Sequence, residues 1–241
     1  MSTAVVLNAK NGQVLYEDQA HALGFPASMT KMMTAYMVFQ ALEAQEITME
    51  TLCPVSSHAA SKTGSTLGLS EGDVISVDDA LCGMLVKSAN DAATVLGERV
   101  KESEDRAAQW MTNQAQTLGM TSTIFTNLSG LHDERMVSTA SDMGRLAYRL
   151  TTDFPEYYSL FGIKEFSYHG TKYQNSNSLL GIKGVDGMKT GNTDAAGFNL
   201  AVSAIQKGKR IIAVVMNAKT SDERHDTLIR LIDYGFRAFL D

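Results

Sequence analysis

Phe198-Asn199-Leu200-Ala201-Val202-Ser203-Ala204, followed by Lys207-Gly208-Lys209 and then Ile211-Ile212-Ala213-Val214-Val215-Met216, is the stretch that decides the architecture. Phe198, Leu200, Val202 and Ala204 recur with the period of two that places alternate side chains on one face of a strand. The Lys-Gly-Lys triplet is a turn. Ile211 to Met216 is an unbroken apolar run, the pattern of a strand buried on both faces. The pair predicts a hairpin whose second strand is central in a sheet.

The other end of the chain repeats the signal. Val5-Val6-Leu7 and Val14-Leu15-Tyr16 flank a turn at Asn8-Ala9-Lys10-Asn11-Gly12, so Thr3 to Glu17 also reads as a hairpin. Leu228, Ile229, Leu231, Ile232, Phe236, Phe239 and Leu240 mark an amphipathic helix at the C-terminal end. Pro26 to Leu42 has helical spacing. Pro26 suits a first turn, and Met29, Met32, Met33, Tyr36, Met37 and Phe39 supply apolar surface on more than one face, so this helix should be buried on most sides. Between Ile47 and Leu150 the segments are short and mainly helical, with helices expected over 77–87, 91–101, 106–118 and 141–150. The expected class is α+β: an antiparallel sheet formed by N- and C-terminal strands, flanked by helices, with an inserted, mainly helical lobe. The whole of 1–241 is expected to be a single domain, with a sheet lobe over about 1–46 and 151–241 and a helical lobe over about 47–150. A cleft between lobes is the natural place for a site.

Composition narrows the function classes. The 241 residues are 44% hydrophobic and 20% charged, an ordinary globular profile. A formal net charge of −6 does not suggest a phosphate-backbone binder, whose signature is a clustered basic face, so no nucleic-acid partner is expected. Cys53 and Cys82 cannot build a disulfide framework and are expected as free thiols. The five histidines, at 21, 58, 132, 169 and 225, show no metal-ligand spacing, and no cofactor or metal is expected. No apolar run is long enough to span a bilayer. Met1-Ser2-Thr3-Ala4-Val5-Val6 reads as a strand and not as a signal peptide, which fits a cytoplasmic protein or a processed extracytoplasmic one.

Three short motifs carry chemistry. In Ser28-Met29-Thr30-Lys31, positions i and i+3 share a helix face, so the Lys31 amine can meet the Ser28 hydroxyl. A serine is a poor nucleophile until a base takes its proton, and a buried lysine is such a base once its pKa falls. The N–H of Ser28, near a helix start, can face a developing oxyanion. Ser88-Ala89-Asn90 puts a hydroxyl and a carboxamide on a loop between two helices. There Ser88 could relay a proton and Asn90 could bind a substrate amide, although taken alone the same residues read better as a cap of the helix that starts near Asp91. Lys189-Thr190-Gly191 precedes the later hairpin and so belongs to an edge strand. It offers a positive charge, a hydroxyl and a glycine that lets a substrate backbone approach, and Asn192 adds a second oxyanion N–H. A second Lys-Thr-Gly, at Lys62-Thr63-Gly64, has no strand pattern behind it and reads as a loop. His132-Asp133-Glu134 reads as a polar loop, and Asn127-Leu128-Ser129 has the spelling of a glycosylation sequon.

The three motifs in this order form a set used by penicillin-binding proteins and related β-lactamases. The chain resembles a low-molecular-mass penicillin-binding protein of the D-alanyl-D-alanine carboxypeptidase family. The resemblance rests on Pro26 to Lys31, Lys87 to Ala92 and Lys189 to Gly197, and runs from Val14-Leu15-Tyr16-Glu17 to Tyr234-Gly235-Phe236-Arg237. It implies that Ser28, Lys31, Ser88 and Lys189 are catalytic. It implies that Asn90, Thr190, Gly191, Asn192, Thr193 and Arg224 bind substrate, Arg224 by forking onto a terminal carboxylate. The implied reaction removes terminal D-alanine from peptidoglycan stem peptides ending in D-Ala-D-Ala, through an acyl-enzyme on Ser28 that β-lactam antibiotics also form. The implied location is extracytoplasmic, with membrane association only through segments outside this sequence. A DD-endopeptidase acting on crosslinks would use the same residues. A class A β-lactamase needs a Glu-x-x-Leu-Asn pentapeptide, which the sequence lacks, so slow release of β-lactams is expected.

Overall fold

The computed structural model describes residues 2–239. In chain order it begins with strands β1 (Thr3–Asn8) and β2 (Val14–Asp18), then helix α1 (Lys31–Glu43), strand β3 (Leu52–Pro54), helix α2 (Ser57–Ala60) and strand β4 (Val74–Ser76). Helices α3 (Val77–Cys82), α4 (Asn90–Lys101), α5 (Glu104–Thr117), α6 (Ala140–Asp153) and α7 (Pro155–Tyr158) follow. Strands β5 (Glu165–Tyr168), β6 (Thr171–Gln174), β7 (Val185–Thr193), β8 (Gly197–Gln206) and β9 (Lys209–Ala218) lead to helix α8 (Ser221–Ala238). The class is α+β, as the sequence predicts.

The main sheet has the order β2-β1-β9-β8-β7, with every neighbouring pair antiparallel, so β9 is central and β7 is an edge. Val5, Leu7, Ile212, Val214 and Met216 turn one way and join the core under α1, α4 and α6. Ala4, Val6, Ile211, Ala213 and Val215 turn the other way, onto Leu228, Leu231 and Ile232 of α8. Helices on both faces are why the run 211–216 has no polar alternation. Each fully buried Val or Ile there contributes roughly 1.5–3 kcal/mol relative to exposure. Helix α1 is the apolar post of the molecule: from Lys31 to Leu42 only Gln40 is exposed.

Several expectations change in detail. The helix expected over 77–87 breaks after Cys82 into a wider π-type turn, Gly83–Lys87, that ends on Ser88 with φ of 64°. The β3–β4 hairpin escapes pattern reading because three-residue strands carry no usable period. Helix α6, placed within 47–150 by the sequence, lies on the sheet, where Gly144 brings it against Val5 and Leu7. Both cysteines are free. Met1 and Leu240, which the sequence reading assigned to the first strand region and the last helix, lie outside the described residues.

Candidate active site

Local backbone geometry sets the central pair. Pro26 leads into a 3₁₀ turn over Ala27–Thr30, and α1 takes over at Lys31. In a 3₁₀ turn the side chains at i and i+3 eclipse, which brings Ser28 and Lys31 together more directly than α-helical spacing does. The Lys31 Nζ lies 2.8 Å from Ser28 Oγ, 2.7 Å from Asn90 Oδ1 and 2.6 Å from the Ser129 carbonyl oxygen. Ser28 is half-buried and Lys31 is 0% exposed. As an ammonium, Nζ can donate to all three oxygens. As a free amine it has two N–H bonds for the two carbonyl oxygens, and its lone pair is left facing the serine hydroxyl.

Asn90 is the first residue of α4, not a loop residue, and it is not a cap. Ala89 holds the cap position and no side chain caps the helix there. The Asn90 carboxamide spans two elements instead: Oδ1 accepts from Lys31, and Nδ2 donates to the Thr63 carbonyl at 2.7 Å. The Asn90 N–H donates to the Ser65 carbonyl, also at 2.7 Å. Lys62-Thr63-Gly64 is thus a loop, as expected, and it forms a wall behind Asn90. Asp91 fixes the next stretch by accepting from the N–H groups of Leu67, Gly68 and Leu69. Ser88 is buried, two residues before Asn90, in the left-handed conformation.

The third motif lies along edge strand β7. Lys189 is buried, and its Nζ donates to the Thr190 carbonyl at 3.2 Å. The Thr190 hydroxyl is 2.7 Å from Ser176 Oγ. At Gly191 the close approach is to the protein's own backbone. A Cβ there would sit 2.6 Å from the Pro26 carbonyl oxygen and 3.1 Å from the Ser28 nitrogen. The glycine therefore docks β7 against the turn that carries Ser28. Asn192 is exposed, while the Thr193 hydroxyl accepts from the Ala196 N–H and closes the turn into β8.

Arg224 on α8 is buried and not the solvent-facing residue that a helix start allows. Its Nη1 donates to the Asn199 carbonyl, and its Nη2 donates to Ser221 Oγ and to His225 Nε2. Its Nε is buried without a partner.

The profile of the D-alanyl-D-alanine carboxypeptidase family (peptidase S11) matches residues 1–220. The chain belongs to that family. D-alanyl-D-alanine carboxypeptidase DacC of Escherichia coli is 38% identical over 243 residues, covering 98% of this chain and 61% of that protein. DacF of Bacillus subtilis is 34% identical over 98% of this chain and 62% of its own length. The chain thus spans about three-fifths of the length of these two curated relatives. Penicillin-binding protein 5 of Haemophilus influenzae superposes with a TM-score of 0.94 at 33% identity, covering 98% of this chain and 70% of that one. Penicillin-binding protein D2 of Listeria monocytogenes, solved in an ampicillin-bound form, does so with a TM-score of 0.88 at 34% identity, covering 97% and 96%.

In this carboxypeptidase-family chain the electrostatics follow from burial. The Lys31 amine is held well below the usual lysine range by burial and then by the charge of Lys189, with Asp91 opposing. Lys189 is pushed down to about 7 by burial and then by the charge of Arg224. The His225 imidazole is lowered too, by burial and then by Arg224.

Sequence reasoning missed four participants. The Ser129 carbonyl on Lys31 is a backbone group that no residue type announces. Ser176 pairs with Thr190 from a segment that has no motif. His225 sits against Arg224, although it reads as one of five scattered histidines. Gly130 has φ of 81° and lies against Ala27. The one available signal for the last was Ser129-Gly130 beside a well-placed Asn127, whose Oδ1 accepts from the N–H groups of both residues.

Proposed function

We propose that the chain is a serine-type D-alanyl-D-alanine carboxypeptidase. The contact of Lys31 Nζ with Ser28 Oγ, at 2.8 Å in a fully buried setting, carries that reading. As a free amine Lys31 takes the Ser28 proton while Oγ attacks the carbonyl carbon of the penultimate D-alanine. The N–H groups of Ser28 and Asn192 face the oxyanion. Ser88 relays a proton to the leaving nitrogen, and terminal D-alanine departs. Water then attacks the ester, Lys31 again serves as base, and Ser28 is restored. Lys189, Thr190 and Arg224 form a cationic, hydroxyl-bearing edge for the terminal carboxylate. Asn90 and the backbone beside Gly191, Asn192 and Thr193 flank the acyl chain.

The substrate on this reading is a peptidoglycan stem peptide ending in D-Ala-D-Ala, and the place of action is outside the cytoplasm. β-Lactams mimic the scissile amide and acylate Ser28. The whole of 1–241 acts as one domain, with its cleft between a sheet lobe and a helical lobe.

A buried arginine beside a buried lysine favours a substrate with a free carboxylate over a crosslinked one. A peptide ending in D-Ala-D-Ala should therefore be cleaved with a kcat/KM about 10- to 100-fold above that of its C-terminal amide, the worth of one or two charge-assisted hydrogen bonds. Steady-state assay of D-alanine or D-alaninamide release checks this. Equal turnover of the two would contradict the carboxypeptidase reading and favour an endopeptidase.

A further inference from the structure

The two oxygens that hold Lys31 belong to different segments, and both segments end on one carboxylate. Glu104, in the first turn of α5, is buried. Its Oε1 accepts from the Leu128 N–H at 3.2 Å, one residue before the Ser129 carbonyl that receives Lys31. Its Oε2 accepts from Lys62 Nζ at 2.5 Å, one residue before the Thr63 carbonyl that receives Asn90. His58 Nε2 lies against the same oxygen from the solvent side. The Leu128 carbonyl is held in turn by the Thr34 hydroxyl of α1, at 2.7 Å. Burial pushes the Glu104 carboxyl up, but hydrogen bonds from Lys62, His58 and Leu128 outweigh it and hold the group below the usual carboxylate range. Helix α5 needs no such carboxylate for its own sake, because Ser103 already caps it.

We propose that Glu104 is a positioning residue for Lys31, fixing through Leu128-Ser129 and through Lys62-Thr63-Asn90 the two carbonyl oxygens that aim the Lys31 lone pair at Ser28. The inference rests on Lys31 being the base of the acyl-enzyme reaction. A free amine has two N–H bonds and one lone pair, so where the lone pair points depends on where the two acceptors sit. Loosening either acceptor lets the amine rotate about its last side-chain bond. Glu104 is buried, and its oxygens meet Leu128, Lys62 and His58, none of them a residue assigned to the substrate. Its loss should therefore slow the chemical step and leave binding alone.

The test follows benzylpenicillin acylation of Ser28 under single-turnover conditions, which separates the binding constant K from the acylation rate constant k2, in wild type, Glu104→Ala, Glu104→Gln and Lys62→Met. Glu104→Ala should lower k2 about 10- to 100-fold, the usual effect of removing a group that orients a reacting one, with K changed less than about threefold. Glu104→Gln keeps one acceptor oxygen, which can serve the Leu128 N–H while its NH2 group, a donor, is turned to the Lys62 ammonium, so it should hold the Ser129 arm, lose the Asn90 arm and lower k2 less than Glu104→Ala does. Lys62→Met likewise cuts only the Asn90 arm and should fall between wild type and Glu104→Ala. A folded Glu104→Ala with wild-type k2, or with a change confined to K, overturns the proposal. Should that variant not fold, Lys62→Met decides by the same two criteria. Wild-type protein that forms no adduct contradicts the acyl-enzyme reading itself, whereas normal k2 in the variants contradicts the positioning role alone.

Discussion

Replacing Lys31 with methionine should lower the rate of Ser28 acylation by about 10²- to 10⁴-fold, the range that a positioned general base contributes. Methionine has a length close to that of lysine and suits a site that is 0% exposed, so the variant should stay folded. The substitution leaves Asn90 Oδ1 and the Ser129 carbonyl without their donor, each costing about 1–3 kcal/mol. Against that, a buried amine no longer has to be desolvated. Stopped-flow acylation by a chromogenic β-lactam, with circular dichroism as the folding control, measures both. A Lys31→Met protein that acylates at the wild-type rate would remove lysine from the mechanism.

The pH profile of the wild type belongs to the same prediction. Acylation should rise with pH through the lowered pKa of Lys31, because only the free amine accepts a proton. It should fall as Lys189 loses its charge, near 7 in the free enzyme. The two lysines repel each other, so the limbs belong to the pair. Arg224 is the second cause, after burial, that pushes Lys189 down, so Arg224→Gln should move the falling limb to higher pH. Stability follows the same sign. In the unfolded chain Lys189 titrates near 10.4, as a model lysine does. Between about 7 and that value the native state binds fewer protons than the unfolded one, so stability is lost as pH falls through this window.

Replacing Gly130 with alanine should destabilise the protein by about 3 kcal/mol or more and disable the site with it. The backbone φ of Gly130 is 81°, a region that L side chains rarely adopt. The added Cβ would lie 1.9 Å from the Ala27 carbonyl oxygen and 2.3 Å from its carbon. Both are main-chain atoms, so no rotamer change relieves the clash. Either the segment carrying the Ser129 carbonyl moves away from Lys31, or the turn carrying Ser28 moves away from Lys31. Gly170 supplies the control: its φ is 80° but nothing lies within 4 Å of a Cβ there. Gly170→Ala should cost only about 1 kcal/mol, with acylation unchanged. At about 2–4 °C per kcal/mol for a chain of this size, thermal unfolding separates the two variants readily. Equal melting temperatures would show that the Ala27–Gly130 packing is not what the account requires.

What could be read in the sequence follows from what side chains signal. Period-two patterning located β8, apolar triplets on either side of a turn located β1 and β2, and the unbroken run 211–216 located β9 and placed it at the centre because both its faces are covered. Ser28 with Lys31, Ser88 with Asn90 and the Lys189 strand were visible because reactive side chains at fixed spacing suggest a chemistry. The structure puts Lys31 in contact with both Ser28 and Asn90 and docks Gly191 on the turn that carries Ser28. What stayed hidden is mostly backbone and long-range. The Ser129 carbonyl carries no residue signature. Glu104 reads as an ordinary first-turn acid until Leu128 and Lys62 are seen on its two oxygens. The break after Cys82 was invisible because Gly83–Lys87 keeps a helical composition while its hydrogen-bond pattern changes.

The central claim is that Ser28 is the nucleophile, and the most direct measurement is peptide mapping by mass spectrometry after brief exposure to benzylpenicillin. The account predicts one stoichiometric adduct with the mass of the intact penicillin, located on the peptide that contains Ser28. In the absence of a Glu-x-x-Leu-Asn pentapeptide, that adduct should persist long after free drug is removed. An adduct located on another residue, or no adduct on the Ser28 peptide under conditions where the protein is folded, would contradict it.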